Sequence, residues 1–247
     1  MSFFKKILFS FIFIVASGTG NAALVTVEGK TVSFTYDEAL TTLFGAPIID
    51  GNSLLFLPTN FKAQSLDGGA TALTSDSFQL KIDALGGHHI SNLALTEKGN
   101  YILDGQGATV SAFGELRAVD LKAPFIESIS KIELASPFVQ TGIEQTGDWA
   151  ATANLAFVPN TITSLSVSIE NILLAQTGIN HEVDDDDIKH DSKDDDDNVH
   201  NIAFIEKKYV GLTVTAVPLP TAVWLFGAGL MGLLSVSKRR KLFYFNI

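Results

Sequence analysis

Ser164-Leu165-Ser166-Val167-Ser168-Ile169-Glu170 alternates polar and apolar side chains without a break. In an extended chain successive side chains point to opposite faces, so Leu165, Val167 and Ile169 share one face and the polar residues share the other. That is a strand with one face in a core. The same period recurs on both sides of it. Val32, Phe34 and Tyr36 alternate with Thr31, Ser33 and Thr35, and Phe78, Leu80 and Ile82 alternate with Gln79, Lys81 and Asp83. Trp149, Ala151, Ala153, Leu155 and Phe157 fall on one face, and Leu212, Val214 and Ala216 alternate with Gly211, Thr213 and Thr215. Turn-forming clusters separate these runs: Asp50-Gly51-Asn52, Asp67-Gly68-Gly69, Gly86-Gly87, Lys98-Gly99-Asn100, Asp104-Gly105 and Pro159-Asn160. Short alternating strands between frequent turns predict an all-β chain, an antiparallel β-sandwich or jelly-roll-like single domain. One soluble helix is expected, over 37–44, with Asp37 capping its start and Gly45 ending it.

Composition narrows the compartment and the chemistry. There is no cysteine, so thiol catalysis is excluded and an oxidising compartment is tolerated without disulfides. The formal charge is −10, and the two ends, residues 1–22 and 217–247, hold six basic and no acidic residues. The stretch between them is therefore about −16, a field that repels nucleic acid and anionic lipid.

The ends themselves read as addresses. Lys5 and Lys6 precede an apolar stretch over 7–15, followed by small residues and Gly20-Asn21-Ala22. This is the pattern of a signal peptide, residues 1–22, with cleavage after Ala22. At the other end stand Val217-Pro218-Leu219-Pro220, an uncharged apolar run over 221–236, and Lys238-Arg239-Arg240-Lys241. At about 1.5 Å per helical residue the run and its flanks span roughly 25–30 Å, so a transmembrane helix is expected over 221–237. The basic cluster acts as a cytoplasmic stop, with 242–247 as a cytoplasmic tail. Each proline lacks an N–H and biases its predecessor to extended geometry. The Val217–Pro220 motif is thus expected to be a stiff peptide outside any strand ladder, open to a processing enzyme, with the sandwich domain confined to 23–216.

This three-part tail resembles the PEP-CTERM sorting signal in its VPLPA variant. The resemblance rests on Val217-Pro218-Leu219-Pro220, on Trp224-Leu225-Phe226-Gly227 and on Lys238-Arg239-Arg240-Lys241. Thr221 stands where the variant usually has Ala, and 242–247 follow the basic cluster. The resemblance implies processing by exosortase, a membrane enzyme of Gram-negative bacteria, and passage through a membrane-anchored form. The body also resembles secreted proteins of the VPLPA-tailed group, through Leu43-Phe44-Gly45-Ala46-Pro47, Asn52-Ser53-Leu54 with Phe56 to Phe61, and Glu170-Asn171 with Ile205-Glu206-Lys207-Lys208. That likeness implies a β-rich extracellular domain and carries over no catalytic residue.

The most unusual internal segment is 181–200, which contains two Asp tetrads, 184–187 and 194–197. Self-repulsion and the lack of apolar mass predict a disordered, solvated acidic insertion. Carboxylates are hard ligands, so Asp184, Asp186, Asp194 and Asp196 are weak Ca²⁺ candidates, though the spacing is not that of a formed calcium loop. His181, His190 and His200 lie in the same segment without a helical metal spacing, and His88-His89 reads as a turn or strand start. No Gly-x-Ser-x-Gly, phosphate loop or nucleophile–base pair is present, and no cofactor is expected. The expected function is that of an exported, non-enzymatic structural protein of the surface or of a biofilm exopolysaccharide matrix. Its expected partners are exosortase, membrane lipid and extracellular polysaccharide. A polysaccharide-binding module assisted by Ca²⁺ is the alternative, although Trp149 is expected to point inward rather than form a sugar platform. A surface glycoside hydrolase, which needs two carboxylates roughly 5–10 Å apart in a cleft, comes third.

Overall fold

The computed structural model describes residues 24–40, 43–140, 144–158, 161–178, 201–218 and 228–232. In chain order the strands are β1 (Leu24–Glu28), β2 (Val32–Asp37), β3 (Ile48–Asp50), β4 (Ser53–Phe56), β5 (Lys62–Leu66), β6 (Ala72–Ala84) and β7 (His88–Asp104). They continue with β8 (Thr109–Asp120), β9 (Glu127–Lys131), β10 (Glu133–Leu134), β11 (Glu144–Ala156), β12 (Ser164–Gln176) and β13 (Ile202–Pro218). They form two sheets. One has the order β1-β2-β6-β12-β8-β9, and the other β10-β11-β7-β13-β4-β3 with β5 also paired to β13. Each pairing is antiparallel. The architecture is a β-sandwich, as the alternation predicts.

The inward rows carry the core. Val32, Phe34 and Tyr36 on β2, Phe78, Leu80 and Ile82 on β6, and Leu165, Val167 and Ile169 on β12 are all buried. From the other sheet come Leu93 and Leu95, Ala151, Ala153 and Leu155, and Leu212 and Val214. Phe157 and Ala216 pack at the margin, partly buried. Phe44, Phe56, Phe61 and Phe78 make an aromatic knot, with Phe56 and Phe78 in edge contact at 4.7 Å between ring centroids. The turns at Gly51, Asp67-Gly68, Gly86-Gly87 and Gly105 have positive φ, which explains their glycines.

Several expectations are corrected. Over 37–44 the described residues form no α-helix. Asp37 ends β2, paired to Leu24, and only a 3-10 turn, Glu38–Leu40, follows. Asp37 still caps it, accepting from the Ala39 N–H at 3.0 Å. Strand pairing claims the residue that the helix would need for its first turn.

Lys98-Gly99-Asn100 is not a turn but the middle of β7, paired to Trp149 on one side and Lys207 on the other. A Cβ on Gly99 would lie 1.9 Å from the Glu206 carbonyl oxygen and 2.6 Å from Trp149 Nε1, so this glycine makes room rather than a bend. Pro159-Asn160 lies outside the described residues.

The tail is corrected too. The final strand runs through the start of the proline motif: Ala216 pairs with Ile90, Val217 with His89 and Pro218 with His88. Pro218 is the strand's last residue, where a missing N–H costs the ladder little. The domain boundary expected at Ala216 therefore falls inside a strand. Leu219, Pro220 and most of the expected transmembrane helix lie outside the described residues, as do the signal peptide with Ala22, the basic cluster Lys238 to Lys241, and residues 242–247. Of the apolar run, 228–232 is described and is helical. Among the described residues no helix is long and apolar enough to cross a membrane.

Candidate functional site

Three strands place a polar cluster between the sheets. β7 turns Leu93, Leu95 and then Glu97 inward, and β12 turns Ile169, Asn171 and Leu173 inward. β13 does the same with Ala203, Ile205 and Lys207. Glu97 and Asn171 are 0% exposed and Lys207 is 1% exposed. The Lys207 ammonium donates to Glu97 Oε2 in a buried ion pair. Its Nζ lies 5.4 Å from the Phe61 ring centroid and 5.5 Å from that of Trp149.

The electrostatics oppose ionisation. Burial pushes the Glu97 carboxyl above the usual carboxylate range, against the pull of the Lys207 charge and of the neighbouring Asn171 carboxamide. Burial likewise lowers the Lys207 pKa, against the pull of Glu97. Glu97 Oε1 and both polar atoms of Asn171, Oδ1 and Nδ2, have no hydrogen-bond partner of normal geometry. The carboxamide is close enough to favour the Glu97 anion, yet it is not seated as a hydrogen-bonded neighbour.

A bulge makes this layer possible. Lys207 pairs with Gly99 and Tyr209 with Lys98, so Lys208 is the extra residue. The inward row switches from odd positions (Ala203, Ile205, Lys207) to even ones (Val210, Leu212, Val214) across it. Above the bulge lies a groove of about 590 Å³, lined by Lys98, Tyr101, Phe138, Asp148, Trp149 and Tyr209 among others. Phe138 stands edge-on to both Tyr101 and Trp149. The Trp149 indole donates to the Glu206 carbonyl at 3.1 Å, so the ring that lines the groove is also the one beside the Lys207 ammonium.

The residues singled out in the sequence are placed elsewhere or not described. Val217 is half-buried and Pro218 exposed, both at the end of β13. Asp184, Asp186, Asp194, Asp196, His181, His190 and His200 lie outside the described residues. Among the described residues no group of three or more His, Asp or Glu could hold a metal ion. His88 opens β7, its Nδ1 2.8 Å from the Leu85 carbonyl, and His89 Nδ1 is buried without a partner. None of the three stands out in the sequence as a site residue: Asn171 and Lys207 enter only through the likeness of the body to secreted proteins, and Glu97 not at all. The signal is a charged or amide side chain standing at an apolar position of a period-two row.

Comparison with known proteins bears on the tail. Residues 216–241 match the family model of the PEP-CTERM protein-sorting motif. The tail is a PEP-CTERM signal. It is consistent with an exosortase substrate and supports an exported protein that is membrane-anchored before processing. The match starts inside β13 and does not extend over the rest of the sandwich. No curated protein matches the chain.

Proposed function

We propose that this is a structural protein of the cell surface or of an exopolysaccharide or biofilm matrix in a Gram-negative bacterium, sorted through a VPLPA-type PEP-CTERM tail and not an enzyme. The observation that carries the reading is the junction at residue 216, where the sorting motif begins inside the last strand of the sandwich. Sandwich and signal form one covalent path with no spacer, an arrangement suited to presenting a rigid body at a surface. What supports the non-enzymatic reading is the groove: among the described residues its lining holds one carboxylate, Asp148, where a glycosidase needs a pair. Intact-mass measurement of the protein recovered from its native host tests the sorting. A mass lacking both apolar ends is expected. A mass retaining residues 224–247 would indicate a permanent anchor and overturn the reading.

The second reading, a polysaccharide-binding module, is favoured by one observation. Tyr101, Phe138, Trp149 and Tyr209 border the same groove with Lys98 and Lys208, which is the aromatic and polar mix that sugar sites use. Binding on a glycan array that Tyr209→Ala removes would support it. If binding also needed Ca²⁺, a chelator would abolish it. No binding with or without Ca²⁺ would eliminate the module.

A further inference from the structure

We propose that Lys207 and Asn171 become joined by an intramolecular isopeptide bond, formed by attack of the Lys207 amine on the Asn171 side-chain carbonyl with Glu97 carrying the protons. Three observations lead there. The first is position: Glu97, Asn171 and Lys207 come from β7, β12 and β13, and β12 and β13 face each other across the sandwich. The second is enclosure. All three are buried, and Phe61 and Trp149 close over the Lys207 Nζ, so water is excluded from the amine and the carboxamide. The third is the polar inventory: Glu97 holds Lys207 and neighbours the Asn171 carboxamide, yet Glu97 Oε1 and both Asn171 atoms have no partner of normal hydrogen-bond geometry. Orphaned buried polar groups are rare in proteins and point to a role beyond packing.

The reaction accounts for every atom. Lys207 passes a proton to Glu97, leaving a neutral amine, which the dry surroundings favour. The amine lone pair attacks Asn171 Cγ, a C–N bond forms, and the carbonyl becomes a tetrahedral oxyanion. Glu97 donates its proton to Nδ2, the Cγ–Nδ2 bond breaks, and ammonia leaves. Glu97 then accepts the second proton shed by the attacking nitrogen and ends as a neutral acid. The amine's last hydrogen remains as the N–H of the new amide. Nothing is oxidised or reduced.

The product also resolves the polar inventory. Two buried charges disappear. What remains is one amide N–H, one amide carbonyl and one carboxylic acid, a set in which each donor has an acceptor. Glu97 O–H can donate to the new carbonyl, and Glu97 Oε can accept from the new N–H. A buried ion pair beside an unsatisfied carboxamide has no such closure, and apolar side chains would fill the same space at less cost.

Peptide mapping of the folded full chain tests this without depending on how either terminus is processed. The expected result is one branched peptide containing both Asn171 and Lys207, lighter than the sum of its parts by one ammonia. Lys207→Arg and Asn171→Ala should each yield only linear peptides. Glu97→Gln, which keeps the shape but cannot shuttle the proton, should leave the link unformed in nearly all molecules. Separate linear Asn171 and Lys207 peptides from folded wild-type protein would overturn the bond. A link that forms as completely in Glu97→Gln would overturn the role given to Glu97.

Discussion

Gly99 makes the space that Trp149 fills, and the consequence is measurable. A methyl at that position meets the Glu206 carbonyl oxygen, part of a paired strand, and the indole nitrogen. Neither is the free end of a flexible chain, so Gly99→Ala should lower unfolding free energy by about 2–3 kcal/mol in urea titration. Lys207 offers a second test. Lys207→Met removes both the cation and the nucleophile and leaves Glu97 buried beside the neutral Asn171 carboxamide. The Glu97 pKa is raised in the folded state by desolvation, so the folded variant holds its proton to higher pH than the unfolded chain does. Stability is then fully present below the ordinary carboxylate range and is lost as pH rises through the folded-state pKa. Thermal midpoints of Lys207→Met should therefore fall as pH is raised from acid towards neutral, and Lys207→Met/Glu97→Gln should lose that slope.

At the scale of elements, β13 shows where period-two reasoning reaches and where it stops. Leu212 and Val214 are legible as core because each alternates with a polar neighbour. Ala203, Ile205 and Lys207 follow the same period in the opposite phase, and the phase changes at Lys208. A reading that scores only apolar residues passes over Lys207, Glu97 and Asn171, since each is polar at an inward position. The expected helix over 37–44 and the expected turn at Lys98-Gly99-Asn100 failed for a different reason. Local composition suggested them, but pairing to Leu24 and the bulk of Trp149 decided the outcome. The bulge itself makes a prediction. Deleting one residue from a strand normally turns one half inside out. Deleting Lys208 should instead remove only the bulge and keep both inward rows, at a cost on the order of 1 kcal/mol. Deleting Glu206, two residues away, should reverse Ala203 and Ile205 against Lys207 and abolish cooperative unfolding. Circular dichroism melts of the two deletions separate these outcomes.

For the molecule as a whole, the sorting tail was legible because its signal lies in local composition, which needs no fold to be read. The bond proposed between β12 and β13 was not legible, because its three residues are separated in sequence and meet only when two sheets close on each other. Its position has a mechanical meaning. β13 leads straight into the PEP-CTERM motif, so a pull on the anchored end enters the sandwich through the strand that carries Lys207. A covalent tie to Asn171 passes that load to the other sheet. The tie also closes the chain over 171–207, which by loop entropy stabilises the fold by about 4 kcal/mol, and the acidic segment 181–200 lies within the closed loop. A site-specific protease sequence inserted after Lys189 should thus be cut without parting the molecule. On denaturing electrophoresis the cut wild-type chain should run as one branched species, and the cut Glu97→Gln chain as two fragments. Two fragments from the wild type would mean that the sheets are held by packing alone.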